Sequence, residues 1–298
     1  MDESSFAARQ LFLQGSYKAC VATIGSHSGP SPSLQLYSAR AQIALGQATE
    51  AAQALSARDD VAARAVILLA EQAAGATVGE EAVAEADGLI AELSEEAAVE
   101  EDEQTSGLAQ ARAVLGTVLA NEGQIAAALS LLGQGVARED EESVAVQIQL
   151  LLSIDRTDLA QAALDAAKRF ADDSSIIQLA EAWVNLRTGG AAYQQAFYTL
   201  DELTSAQAPS SVVLNGKAVA QAVQGNAPEA EAALTEASSV APADPITLAN
   251  QSALLKGAAA DQAFARLQQV APAHLLVADL AEKSAAFDAA AAKFAIAA

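Results

Sequence analysis

Cys20, His27 and His274 are the residues whose types could support nucleophilic, general-base or metal chemistry, and the chain has one cysteine and two histidines in all. A nucleophile needs a base within hydrogen-bond reach, and a metal needs several ligands at fixed spacing. Neither pattern is present: His-x-x-x-His, Cys-x-x-Cys and Gly-x-Ser-x-Gly are all missing. His27 sits in the turn-forming stretch "GSHSGPSP" and His274 two residues after Pro272, so both read as surface or helix-capping residues. "TGG" at 188–190 follows no strand and precedes no Gly-Lys-Ser, so it is an inter-helix turn rather than a phosphate loop. Carboxylates are abundant, but on an acidic helical surface pairs at i, i+4 arise by chance. The chain is expected not to be an enzyme, with no cofactor and no metal.

The elements that carry these residues are helical. Alanine and leucine dominate, aromatics make up 4 %, prolines number 7, and 52 % of the residues are hydrophobic, a composition that favours helix nearly throughout. In "NAPEAEAALTEASSVAPADP", residues 226–245, Ala230, Leu234 and Ala237 fall at helical spacing after Gly225 and before Pro242. Two alanines let a neighbouring helix approach closely, the leucine fills the gap, and the proline marks where the helix has ended. The same grid of turn, small residue and aliphatic recurs along the chain. Gly15, Cys20 and Ile24 are followed by Gly46, Ala51 and Leu55; then come Gly123, Ala128 and Leu132, and Asp155, Ala160 and Leu164. Gly190, Ala196 and Leu200 precede Gly225, Ala230 and Leu234, and Gly257, Ala263 and Leu267 close the series.

From Gly123 onward the turns lie 32, 35, 35 and 32 residues apart, and the first two lie 31 apart. A period near 34 is that of the tetratricopeptide repeat, a pair of helices that cannot bury its apolar face alone and stacks on its neighbours. The fold expected is all-α: a curved, tetratricopeptide-like solenoid of about eight helical hairpins, one domain over 1–298. The 77 residues from Gly46 to Gly123 hold two repeats and a short insertion, with the intervening turn placed at Gly79 and its helix marked by Ala84 and Gly88. The acidic stretch "SEEAAVEEDEQTSG", 94–107, reads as a solvated loop. "EDEE" at 139–142 reads as negative charge at a helix N-terminus.

Cys20 occupies a small-residue position and reads as core. Trp183 also reads as core, and Tyr193, Phe197 and Tyr198 form the densest aromatic cluster, from which one ring could face a partner. The first helix of each hairpin lines the concave side. The repeat geometry assigns to that side a mostly apolar groove for a protein ligand, containing Arg9, Phe12, Leu13, Leu36, Arg40, Val66, Leu69, Val212, Asn215 and Val219.

Net charge narrows the partners. With 38 acidic and 16 basic residues the chain carries −22, which repels phosphate backbones and anionic lipid alike. Nucleic acid and direct membrane binding are therefore not expected. The strongest apolar run, "VILLA" at 66–70, is far short of the roughly 20 residues that span a bilayer. "MDESSFAARQLF" at the start lacks the basic-then-apolar layout of a secretory signal, and a single cysteine gives no disulfide framework. A cytoplasmic protein is expected.

Residues 146–203, "VQIQLLLSIDRTDLAQAALDAAKRFADDSSIIQLAEAWVNLRTGGAAYQQAFYTLDEL", closely resemble the epsilon subunit family of coatomer, the COPI vesicle coat. "LNGKAVAQAVQGNAPEAEAAL" at 214–234, "QLFLQGSYKAC" at 10–20 and "KSAAFDAAAAKFA" at 283–295 resemble the same family, so the similarity runs nearly the whole chain in order. "IDRTDLA", "AWVNLRTGG" and "LNGKA" are its specific pieces and are not tetratricopeptide consensus. The resemblance implies a non-catalytic coat subunit that curls around part of the C-terminal domain of the alpha subunit. It would stand in a subcomplex with beta-prime, serving retrograde Golgi-to-ER and intra-Golgi transport, with indirect association to Golgi and vesicle membranes. The rival reading is a tetratricopeptide co-chaperone or other peptide-binding adaptor. Such a co-chaperone would grip an acidic tail with basic residues, of which the groove holds only Arg9 and Arg40. A secreted bacterial scaffold would need an export signal.

Overall fold

The alanine-rich segments between glycine turns do form helices. The computed structural model describes residues 3–27, 29–97, 107–134, 139–206 and 210–294. Among them the regular elements are helices alone, ordered α1 (Glu3–Leu13), α2 (Tyr17–Gly25), α3 (Pro32–Ala44), α4 (Ala48–Leu55), α5 (Val61–Ala74), α6 (Glu80–Ala97), α7 (Leu108–Asn121), α8 (Ile125–Leu132), α9 (Glu141–Ser153), α10 (Thr157–Ala171), α11 (Ser175–Thr188), α12 (Ala192–Ala206), α13 (Ser211–Val223), α14 (Ala227–Val240), α15 (Pro245–Leu254), α16 (Ala258–Val270) and α17 (Leu275–Ala291), with a short 3₁₀ turn at Ala292–Phe294. Consecutive helices pair into eight hairpins, as the repeat period predicts, and α17 is left over. The chain divides into two compact units, Met1–Ala208 with six hairpins and Pro209–Ala298 with two; the sequence reading expects one array.

Five of the turns within hairpins work because one residue in each adopts the left-handed conformation. Gly15, Gly46, Gly123 and Gly225 have φ between 76° and 86°, and Asp155 has φ 60°. The residue after each donates back across the helix end: Ser16 N–H to Leu11 O (2.9 Å), Gln47 to Gln42 (2.9 Å), Gln124 to Leu119 (2.9 Å), Arg156 to Leu151 (2.8 Å) and Asn226 to Gln221 (3.0 Å). This closure satisfies carbonyls that a helix end otherwise leaves unpaired. Starts are capped where the sequence allows. Ser31 accepts from Leu34 N–H at 3.4 Å, Asp60 from Ala63 N–H at 3.1 Å, and Asp244 from Ile246 N–H at 3.2 Å, the first and last followed by a proline in the first turn.

The repeat grid is the inter-helix seam. Cys20, Ala51, Ala128, Ala160 and Ala196 are fully buried, as are Leu132, Leu200, Leu234 and Leu267, and Ala230 and Ala263 are nearly so. Each buried leucine contributes roughly 1.5–3 kcal/mol. Small residues set the spacing: a Cβ added at Gly116 in α7 would meet the Leu132 side chain of α8 at 2.9 Å.

Two expectations are corrected. Around Gly79 the buried residues are Ala82, Ala86, Leu89 and Leu93, whereas Ala84 and Gly88 are exposed. Helix α5 ends at Gly75, itself left-handed, so a longer link precedes Gly79 and the grid counted from Gly79 is out of register. The acidic insertion is in part helical, since α6 runs through to Ala97; residues 98–106 lie outside the described residues.

Candidate partner-binding surface

In a stacked-hairpin protein the first helix of each pair faces inward, and within residues 1–208 these are α1, α3, α5, α7, α9 and α11. Each packs on the next, and α1 also comes back against α11. The inner positions assigned to a groove are consequently taken up by the chain itself. Leu36 and Val66 are 1 % exposed and belong to one aliphatic core, with Leu69 half-buried against it. Leu13 is buried in one core with Val144, Ile148 and Ile177 of α9 and α11, and Phe12 packs on that core.

Arg9 and Arg40 are likewise engaged from within. The Arg40 guanidinium meets both carboxylate oxygens of Glu142, with Nη1 to Oε2 at 3.2 Å and Nη2 on Oε1, joining α3 to α9 across 102 residues. Its flat face lies 4.5 Å from the Phe12 ring centroid and 5.7 Å from that of Tyr37. Burial pulls the Arg40 pKa down, but the charge and hydrogen bonds of Glu142 outweigh it and hold the group above its ordinary value. Burial and the Glu142 charge push the Tyr37 phenol up. Arg9 stands 3.6 Å from Glu141, whose carboxylate also accepts from the Ser174 hydroxyl at 2.8 Å. Gln14 donates to the Ser175 hydroxyl at 3.4 Å, and that hydroxyl donates to Gln10 at 3.0 Å.

"EDEE" thus does more than charge a helix start. Asp140 caps α9 by accepting from Ser143 N–H at 2.8 Å, and burial with the nearby Glu142 charge raises its pKa. Glu141 and Glu142 reach back to the first two hairpins. Composition hides this, because an acidic run looks the same on a solvated face; the available signal was an arginine at an inner position of α3 and two glutamates in the first turn of an inner helix.

In the second unit, Val212 and Val219 on α13 remain half-buried. Asn215 is instead a packing hub, 3 % exposed. Its amide nitrogen lies 2.8 Å from Ser211 O and 2.7 Å from Thr247 Oγ1, and its oxygen accepts from Asn250 at 2.9 Å, tying α13 to α15. The phrase "LNGKA" therefore encodes a buried clasp between hairpins. "IDRTDLA" and "AWVNLRTGG" also meet, through the surface ion pair of Arg187 with Asp155.

Cys20 is buried, and burial raises its thiol to about 11, which makes it a core residue unreactive near neutral pH. Trp183 is half-buried against the α9–α11 core. In the aromatic cluster Tyr198 is 54 % exposed and stands 5.8 Å from Phe197. His274 caps α17, accepting from Leu276 N–H at 3.2 Å, and His27 bonds the Thr23 carbonyl at 2.7 Å. No group of three or more metal-ligating side chains occurs among the described residues.

Stacked hairpins with left-handed turns, small-residue seams and inward-facing first helices define a tetratricopeptide-type scaffold. A solved structure agrees at the level of fold: the crystal structure of the APC/C hetero-tetramer Cut9–Hcn1 superposes with a TM-score of 0.55 at 12 % identity, over 93 % of this chain and 54 % of that one. The model of the coatomer epsilon subunit family matches residues 1–295, and the chain belongs to that family, one of structural coat subunits and not of enzymes. It is 32 % identical over 179 residues to coatomer subunit epsilon-2 of Oryza sativa, covering 59 % of each chain. It is 34 % identical over 135 residues to coatomer subunit epsilon-1 of Arabidopsis thaliana, 45 % of this chain and 46 % of that one. With the probable coatomer subunit epsilon of Schizosaccharomyces pombe it shares 26 % over 220 residues, 72 % and 67 % of the two. The matched stretch thus spans about three fifths of the rice protein's length.

Proposed function

We propose that the chain is a non-catalytic subunit of the COPI coat that binds the C-terminal domain of the alpha subunit, with beta-prime in the same subcomplex. In this reading it supports retrograde Golgi-to-ER and intra-Golgi vesicle transport, from the cytoplasm and from the periphery of Golgi and vesicle membranes. The observation that carries the reading is the family match across residues 1–295 on a scaffold of repeat hairpins. Association with membrane is through the coat. A charge of −22 disfavours anionic lipid, and among the described residues no helix is long and apolar enough to cross a bilayer. Of the proposed groove positions, Val212 and Val219 are the ones left half-buried without a place in a described core; Arg9 and Arg40 are already neutralised by glutamates, which disfavours a co-chaperone's grip on an acidic tail.

The test is a pull-down from matched cytosol with the tagged full chain as bait. Stoichiometric recovery of the alpha and beta-prime subunits is the expected result. Recovery of a chaperone in their place, or of no stoichiometric partner, would overturn the assignment and leave only the repeat fold.

A further inference from the structure

Consecutive hairpins in residues 1–208 share aliphatic cores, to which polar bonds such as Gln72 with Glu122 and Lys168 with Glu181 are added, whereas the closure of α1 and α3 onto α9 and α11 joins hairpins that are not neighbours in sequence and centres on a bidentate ion pair. The core that runs from Leu36 to Leu131 contains alanine, valine and leucine alone among its buried members. Across the closure the contacts are Arg40 with Glu142, Arg9 with Glu141, and Gln10 and Gln14 with Ser175, supported by Phe12 and Leu13. Elements distant in sequence are thus held by charge and hydrogen bonds together with the apolar contact of Leu13 and Phe12, and no chain connection crosses the seam. Aliphatic contacts are forfeited within about an ångström of separation and have no substitute partner, whereas charged groups that part gain water as an alternative partner and recover the hydration they lost on burial. Such a junction has two discrete arrangements, paired or hydrated, which is what a switching element requires.

We propose that this polar seam between α1/α3 and α9/α11 is the opening point of residues 1–208. Closed, it covers the inner positions Leu13 and Arg40; open, it exposes them to solvent while every consecutive hairpin contact stays intact. Opening of the free chain is set by Arg40 and Glu142, because parting them leaves two charges that water can solvate. The inference concerns the chain alone and holds whatever partner the subunit takes.

The experiment is a spin-label distance measurement on the full chain. Ala22→Cys on α2 and Ala166→Cys on α10 are exposed sites on the outer helices to either side of the seam. Ala127→Cys on α8 with Ala166→Cys reports on adjacent hairpins as a control. Cys20 is buried and is replaced by Ala. The parent should show one narrow distance across the seam. Glu142→Gln should add a longer-distance population at least tenfold above the parent's, with the control distance unchanged. Replacing the pair by an apolar one, Arg40→Met with Glu142→Leu, should restore the single narrow distance. Arg9→Met, a milder cut at the more exposed end, is read in parallel and serves alone if Glu142→Gln does not fold. The proposal is overturned if the seam distance is unaltered in the folded variants, or if the control pair broadens to the same extent, which would mean that the whole unit loosens.

Discussion

Ala230 illustrates how a single methyl group decides packing. It is 2 % exposed on α14, in line with Leu234 and Ala237, which are both fully buried. Its size sets how closely α13 approaches. Ala230→Phe should overpack that seam and lower stability by about 1–3 kcal/mol, read as a lower denaturation midpoint in urea with an unchanged slope; an unchanged midpoint would remove Ala230 from the seam. This position was legible in the sequence because small residues at helical spacing have few other uses. Asn215 was not. A polar side chain on an inner helix reads as a polar contact for a ligand, and only the approach of Thr247 and Asn250 from α15 reveals that its partners lie within the chain.

At the scale of the element, the turn after α9 differs from its equivalents. Gly15, Gly46, Gly123 and Gly225 fill the left-handed position elsewhere, but here Asp155 does, at φ 60°. A side chain in that region costs about 1–2 kcal/mol relative to right-handed backbone, and the exposed pair with Arg187 offsets little of it. Asp155→Gly should therefore stabilise the chain by roughly 1 kcal/mol, less what the added freedom of the unfolded glycine removes. Chemical denaturation of the two proteins side by side checks it, and a destabilised variant would show that the Arg187 clasp outweighs the backbone strain. Turns of this type are readable from sequence at glycine. The third repeat slips register for a related reason: two left-handed glycines, Gly75 and Gly79, bracket one link, and only the structure shows which of them ends the helix.

For the whole molecule the decisive feature is the division at residue 208. Repeat proteins hold together through nearest-neighbour interfaces, so cooperativity extends only as far as those interfaces do. Two compact units should unfold as more than one cooperative transition. Scanning calorimetry should give a calorimetric enthalpy larger than the van't Hoff value; equality of the two would mean that both units melt as one. The helix α17 belongs to this scale as well. It has no buried residue, and its Leu275, Leu280 and Phe287, like Phe294 in the 3₁₀ turn that follows, lie 50 % exposed or more.

Sequence by itself determined the helical class, the hairpin repeat and, outside the third hairpin, its turns and seams, because these follow from contacts within some 34 residues and recur with a period. It also determined the family, through phrases such as "IDRTDLA" and "LNGKA" that lie outside the repeat consensus. What the tertiary structure alone decided is where the inward-facing side chains end up. Whether Arg40 meets a ligand or Glu142 depends on the small rotation between successive hairpins, summed over three of them, and no local pattern records that sum. The same inner arginine suits either outcome, and the accumulated rotation brings α9 back onto α3.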